Sequence, residues 1–368
     1  MKKTGWGILV LVFVLALTIG LVFTGCELFS GTPITFTVSS ESEWNDAINS
    51  INVGGNNREY IITITRDFSV AGRPDLHPTN RNRLWTFPIP KGIAVTIQGS
   101  GTISLSSNGA LLLLHNRQHI ILQDVKLRGR IGNDSDIVVI GGAQRGSLTM
   151  RGNASIYSNT GTNRIVAGVG GNGIVTMLDN SSIHNNAFGV TGPGIVTMLD
   201  NSSIHSNEYG VFISFGTLTM QNNASVYNNK LGGVFISGPR AVFNMQDETS
   251  VHGTVNGYGV FVTVGGTFNM QDSASVYGNT SSESGGGVWL SSGATFRISG
   301  GTVYGDTEGA KSNRAPDGAA LYIGENWPQF DENTAEYGTF RGTRFTRSGN
   351  LETTHNTIRV INGVLQAL

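Results

Sequence analysis

Two columns of side chains in this 368-residue chain carry groups capable of chemistry. Asp179, Asp200, Asp247 and Asp272, with Asn222 among them, each lie two residues after a repeated methionine. Seven residues after the same methionines come Tyr157, His184, His205, Tyr227, His252 and Tyr277, with Tyr304 close behind. Carboxylates repeated at one strand spacing of ~4.8 Å match the ~5 Å separation of a retaining glycosidase pair, and they also suit calcium, a hard cation that takes oxygen ligands. The alternative is a turn residue repeated with its turn, since Asp bonds its own backbone readily. The aromatic column is flanked by Ser155, Ser182, Ser203, Ser225, Ser250 and Ser275. Such a surface can stack on sugar rings and hydrogen-bond their edges, or simply cover its own sheet at ~0.2–1 kcal/mol per cross-strand pair. His184 and His205 lack the further ligands that zinc requires, so no metal site is assigned, and no cofactor.

These columns exist only if the chain repeats, and the methionines show that it does. Apart from Met1, every methionine falls in one series, Met150, Met177, Met198, Met220, Met245 and Met270. Ile298 continues it forward, and Ile97 and Ile121 extend it backward. The segment 174–184, IVTMLDNSSIH, recurs unchanged at 195–205. Two residues before the methionine the side chain is always apolar (Leu148, Val175, Val196, Leu218, Phe243, Phe268), and one residue before it is polar. That alternation marks a strand with one buried face. Ile156, Ile183, Ile204, Val226, Val251 and Val276 form a second apolar column, and Gly-Val-Phe-Ile runs at 210–213 and 233–236 supply a third strand. Three short strands per period of about 24 residues predict an all-β solenoid, a parallel β-helix whose stacked turns bury a shared core. Asn159, Asn186, Asn207, Asn229 and Asn279 add an amide ladder at one corner, interrupted by Thr254.

Composition narrows the function classes. Only 13% of residues are charged, the formal net charge is -1, and 51 residues are glycine. A near-neutral chain has no electrostatic footprint for nucleic acid, and one cysteine rules out a disulfide framework. That cysteine, Cys26, follows Lys2, Lys3, the apolar run 7–23 and the sequence Phe23-Thr24-Gly25. The arrangement resembles a bacterial lipobox, which implies a signal peptide over 1–25, lipid attachment at Cys26 and a linker over 26–38; the alternatives are an uncleaved membrane-spanning helix and a plain signal peptide cleaved elsewhere. Residues 39–56 read as a capping helix: Ser40 and Glu43 have capping-box spacing, and Trp44, Ala47, Ile48 and Ile51 form one apolar stripe. The β-helix then occupies 57–368, with clear repeats over 146–304, and 356–365 closes the stack.

On these repeats the chain resembles the right-handed parallel β-helix of the pectate-lyase-like superfold, and more narrowly the repeat-rich β-helix lipoproteins of bacterial surfaces. The resemblance implies ~12 turns at ~4.8 Å, a rod on the order of 60 Å long. It specifies fold rather than activity, because this scaffold hosts lyases, hydrolases and adhesins. Polygalacturonase-type signatures (Asn-Thr-Asp, Asp-Asp, Gly-His-Gly, Arg-Ile-Lys) do not occur. One long loop over 71–91 breaks the rhythm, and its Arg73, Arg81, Arg83 and Trp85 are contacts for an anionic sugar or a partner, or else only a cover for the first turns. A polar stretch over 306–317 reads as a solvated excursion.

The expectation is a lipid-anchored extracytoplasmic protein, displayed at the outer membrane or cell surface. It is non-catalytic, adhesin-like, and binds a polysaccharide or a host or neighbouring surface protein through its outer face. The alternatives are a polysaccharide lyase or glycoside hydrolase with an unrecognised site, and a purely structural, variable surface protein.

Overall fold

The structure is a computed structural model and describes residues 31–73, 86–88, 90–115, 117–141, 146–161, 166–192, 194–291, 293–324, 338–340, 343–345, 354–361 and 364–367. The signal segment and Cys26 lie outside the described residues, as do Arg81, Arg83 and Trp85 of the long loop. No helix among the described residues is long and apolar enough to cross a membrane.

The chain winds as a right-handed parallel β-helix of three sheets. The first, here the methionine sheet, has 11 strands from Ile34–Val38 to Thr295–Ile298. The second, the ring sheet, has 12 strands and carries the serine and aromatic columns. The third has nine strands, from Leu112–Leu114 to Leu321–Ile323, so about nine turns carry all three sheets. Dividing the chain by its period overcounts for two reasons. The turn joining Thr63 to Gln98 takes 35 residues, and parallel stacking stops before the carboxyl terminus. There Ile358–Ile361 runs antiparallel to Thr302–Val303 and folds back on Val364–Ala367, which closes the ring sheet as expected for 356–365.

Alternation sorts side chains between the core and the outside. Met150, Met177, Met198, Met220, Met245 and Met270 pair in register from turn to turn and are at most 1% exposed. Two residues before Met245, Met270 and Ile298, the rings of Phe243, Phe268 and Phe296 stack inside at 4.9 Å. Each such side chain contributes roughly 1.5–3 kcal/mol on burial. One position corrects the sequence reading. Ile97 pairs with Leu122, not with Ile121, and Leu122 is fully buried while Ile121 faces outward. The run Ile120-Ile121-Leu122 is apolar at three successive positions, so alternation gives no phase there, and a slip of one residue exchanges the faces.

Helix α1, Glu41–Val53, closes the first turn with Trp44, Ala47, Ile48 and Ile51 buried, as the stripe requires. Its cap differs from the expected box. The Ser40 side chain accepts from the Glu43 N–H at 3.4 Å, but Glu43 Oε2 accepts from the N–H of Ser39, not Ser40, at 2.6 Å. Ile34–Val38, inside the stretch expected to be linker, is the first strand of the methionine sheet and pairs with Glu59–Ile64.

The amide ladder is an internal feature of two runs, broken between Asn229 and Thr254. Asn159 donates its N–H to Asn186 Oδ1 at 3.0 Å, Asn186 to Asn207 at 3.0 Å, and Asn207 to Asn229 at 3.0 Å. Thr254 then donates to Asn279 at 3.0 Å, and Asn279 to Asn313 at 2.9 Å. Asn133 extends the ladder backward through its bond to Asn159 at 2.8 Å. Most of 306–317 is exposed, as a solvated excursion requires, but the sequence reading missed the fully buried Asn313 that anchors it.

Candidate functional site

The ring column is built by a three-residue strand, repeated. In Ser182-Ile183-His184 the isoleucine points into the core, and the serine and histidine sit half-buried on the outside. Register then places Tyr157, His184, His205, Tyr227, His252 and Tyr277 directly above one another. Their rings stack with centroids 5.1, 5.0, 4.7, 5.3 and 4.6 Å apart and planes within 13° of parallel. Tyr304 meets Tyr277 edge-on at 6.0 Å, and Lys311 Nζ lies over both rings at 5.6 and 5.1 Å. At the other end, Arg128 occupies the position paired with Tyr157.

This geometry decides what the ladder can offer. Interior rings spend both faces on their neighbours, so only ring edges reach a ligand. A sugar ring therefore cannot stack on the middle of the ladder, contrary to the simplest sequence expectation. The edges instead present imidazole nitrogens and phenol hydroxyls one strand spacing apart, ~4.8 Å, beside the serine line. Burial pushes the imidazoles of His184, His205 and His252 below the usual value, because it penalises the charged form. The positive charge of Lys126 adds to this at His184. At His205, His184 adds to burial and the value falls to about 4. The ladder is thus a row of neutral donors and acceptors at neutral pH.

The aspartate column is brought together at the corner before the ring sheet, and it is occupied by backbone. Asp179, Asp200, Asp247 and Asp272 all hold the left-handed conformation, φ 55 to 57°, which Asp and Asn tolerate better than most residues. Gly152 donates its N–H to Asp179 Oδ2 at 2.8 Å, and Asp179 donates to Asp200 at 3.1 Å. Asn222 donates to Asp247 at 2.8 Å and Asp247 to Asp272 at 3.2 Å. Each carboxylate therefore ties its own turn to the one before it, which is the work of a repeated turn residue. Among the described residues no three His, Cys, Asp or Glu side chains gather as a metal site.

Of the loop residues, Arg73 is described. Its backbone bridges Ala110 in both directions at 2.8 Å, and burial pushes its guanidinium below the usual value. Thr86, near the far end of the loop, donates to Leu113 O at 2.9 Å and accepts from the Leu113 N–H at 2.8 Å. These described ends cover the first edge of the third sheet, as the plainer reading of the loop has it.

A second set of outward rings escaped the sequence reading. Phe212, Phe235, Phe261 and Trp289 stack on the outside of the third sheet at 4.8, 4.5 and 4.4 Å, with Tyr322 beyond at 5.9 Å. Phe188 and Tyr209 stack beside them at 4.7 Å. The signal lay in the Gly-Val-Phe-Ile runs themselves: Val211 and Ile213 are core, so alternation sends Phe212 outward. No family model matches the chain, and no curated protein or solved structure matches it.

Proposed function

We propose that this chain is a lipid-anchored surface protein of the pectate-lyase-like β-helix type that acts without catalysis, as an adhesin-like rod. In this reading it holds a glycan or a partner protein along its outer faces. The observation that carries it is the unbroken run of ring edges from Tyr157 to Tyr277, flanked by serines and uncharged at neutral pH. A linear polysaccharide laid along the axis meets the same hydroxyl, imidazole and phenol groups every ~4.8 Å, with Arg128 and Lys311 at the two ends. The lipobox-like Phe23-Thr24-Gly25-Cys26 supports anchoring through the amino terminus, by two or more acyl chains since one chain binds a membrane only marginally. An enzymatic reading needs free carboxylates, and the aspartate column is engaged with backbone N–H groups.

The test is to incubate the purified protein with a panel of acidic and neutral polysaccharides and measure both retention and released reducing ends. Retention without cleavage, weakening step by step as Tyr157, His184, His205, Tyr227, His252 and Tyr277 are replaced by Ser, is the expected result. Released reducing ends would overturn the non-catalytic reading. Retention that is indifferent to the ladder replacements would move the site elsewhere.

A further inference from the structure

The two ring stacks on the third sheet end on successive turns, one at Phe188 and the other at Phe212. Register pairs Phe212 with Thr191, and Thr191 with Gly170, so no ring continues the Phe212 stack toward the amino terminus. Phe188 is likewise followed in that direction by Ala167. Each stack thus ends in a ring with one face covered by the next turn (Phe235 and Tyr209) and the other face unstacked. Between these end rings lies a cleft of about 410 Å³, floored by Gly171 and Gly192 and walled by Phe188, Tyr209, Thr191 and Phe212. The volume falls within the range of small-molecule sites, roughly 300–1,000 Å³.

The floor is kept free of side chains by the backbone. Gly171 and Gly192 have φ of 109 and 133°, and a Cβ at Gly192 would overlap the carbonyl of Gly171. Only glycine tolerates both conditions. The lining residues are uncharged and almost wholly apolar, with the Thr191 and Tyr209 hydroxyls as the side-chain polar groups. Stacked rings on this sheet repeat every 4.4 to 4.8 Å. A ring placed over Thr191 at the same interval continues the Phe212 stack.

We propose that this cleft is a binding site for a neutral, planar aromatic ring, which takes the next place in the Phe212–Phe235–Phe261 stack. The site is separate from the Tyr157–Tyr277 ladder and does not depend on glycan binding there. A free aromatic molecule and an aromatic side chain on a polypeptide share the chemistry that the cleft recognises. An anionic ring is disfavoured, because no cationic side chain among the described residues lines the cleft and Asp136 stands beside Gly170.

Titration of the purified protein with indole, with N-acetyltryptophanamide and with indole-3-acetate, followed by saturation-transfer NMR, tests this. At least one of the two neutral probes should bind. Binding of indole marks a free ring as sufficient, and binding of the amide alone marks a polypeptide side chain as the ligand. Indole-3-acetate should bind at least about tenfold more weakly than the better neutral probe. Phe212→Ala should weaken binding about tenfold, since an aromatic pair adds ~0.5–1.5 kcal/mol beyond its buried area. Thr191→Phe supplies the missing ring from the protein itself and should abolish binding while leaving the fold intact. Failure of both neutral probes, equal binding of the anion, or unchanged binding in Thr191→Phe would each overturn the proposal. The ladder replacements at His184 and His205 should leave the signal unchanged, which separates this site from the proposed glycan face.

Discussion

His184 and His205 stack with ring centroids 5.0 Å apart and planes 5° from parallel, on paired positions of consecutive turns. Two identical titratable rings in contact make the ladder sensitive to protonation, because a charge on one opposes a charge on the other. The depressed values of His184, His205 and His252 set the sign. Above the ordinary value of 6.5 neither folded nor unfolded chain is protonated at these rings, and the stacking contribution is fully present. Below it the unfolded chain takes up protons that the folded ladder resists, so stability falls. The loss is complete once pH passes the folded values, about 4 for His205. The melting temperature should therefore drop between about pH 7 and about pH 4.5. The drop should shrink in His184→Tyr/His205→Tyr, where the stack is kept without a group that titrates in this range. An equal drop in that variant would assign the effect to other groups.

The break at Thr254 predicts a stabilising substitution. Asn at this corner offers Oδ1 to the turn before it, as Asn207 does to Asn186, whereas Thr254 Oγ1 is buried without a partner. Thr254→Asn should raise stability by about 1 kcal/mol, the net worth of a typical hydrogen bond, read as a shifted urea midpoint. Asn207→Ala should do the reverse by about 2–4 kcal/mol, since it takes the acceptor from the buried Asn186 N–H and side-chain amide and the donor from the Ile183 carbonyl.

The aspartate turns make different demands from those of a calcium site. Asp200 holds φ 56° and accepts from the Asp179 N–H. Asp200→Asn should be nearly neutral, because Asn keeps an acceptor and the left-handed preference. Asp200→Val should lower stability by about 1–3 kcal/mol. Added chelator should leave the melting curve of the wild type in place. A large chelator-dependent shift would reassign the column to calcium.

Ile121 and Leu122 test the register directly. Leu122→Lys places an ammonium in the core and should prevent folding, while Ile121→Lys should change stability by no more than about 0.5 kcal/mol. Circular dichroism on the two variants separates them, and the opposite outcome would mean the strand is slipped by one residue.

Much of this architecture is written in the sequence. A solenoid places residues one period apart at one strand spacing, so any column of like residues in the text becomes a column in space. The methionine core, the aromatic column and the Asn ladder could all be read for that reason. Where spacing was irregular the reading failed, as at Leu122 and at Asn133 and Asn313. Column membership there is set by pairing with a neighbouring turn rather than by counting.

The functional surfaces divide in the same way. Alternation along a single strand determines that His184 faces outward and Ile183 inward, because backbone pleat alone enforces it. Whether His184 presents a face or an edge depends on the rings of the turns above and below, and only the stacked structure decides that. The cleft beside Phe212 arises likewise from two stacks ending over Gly171 and Gly192, residues brought together from three successive turns. The sequence by itself determined the repeat and the inside of the rod. The tertiary structure decided which faces of its outer rings remain free, since that follows from contacts between turns and not from the order of residues within one.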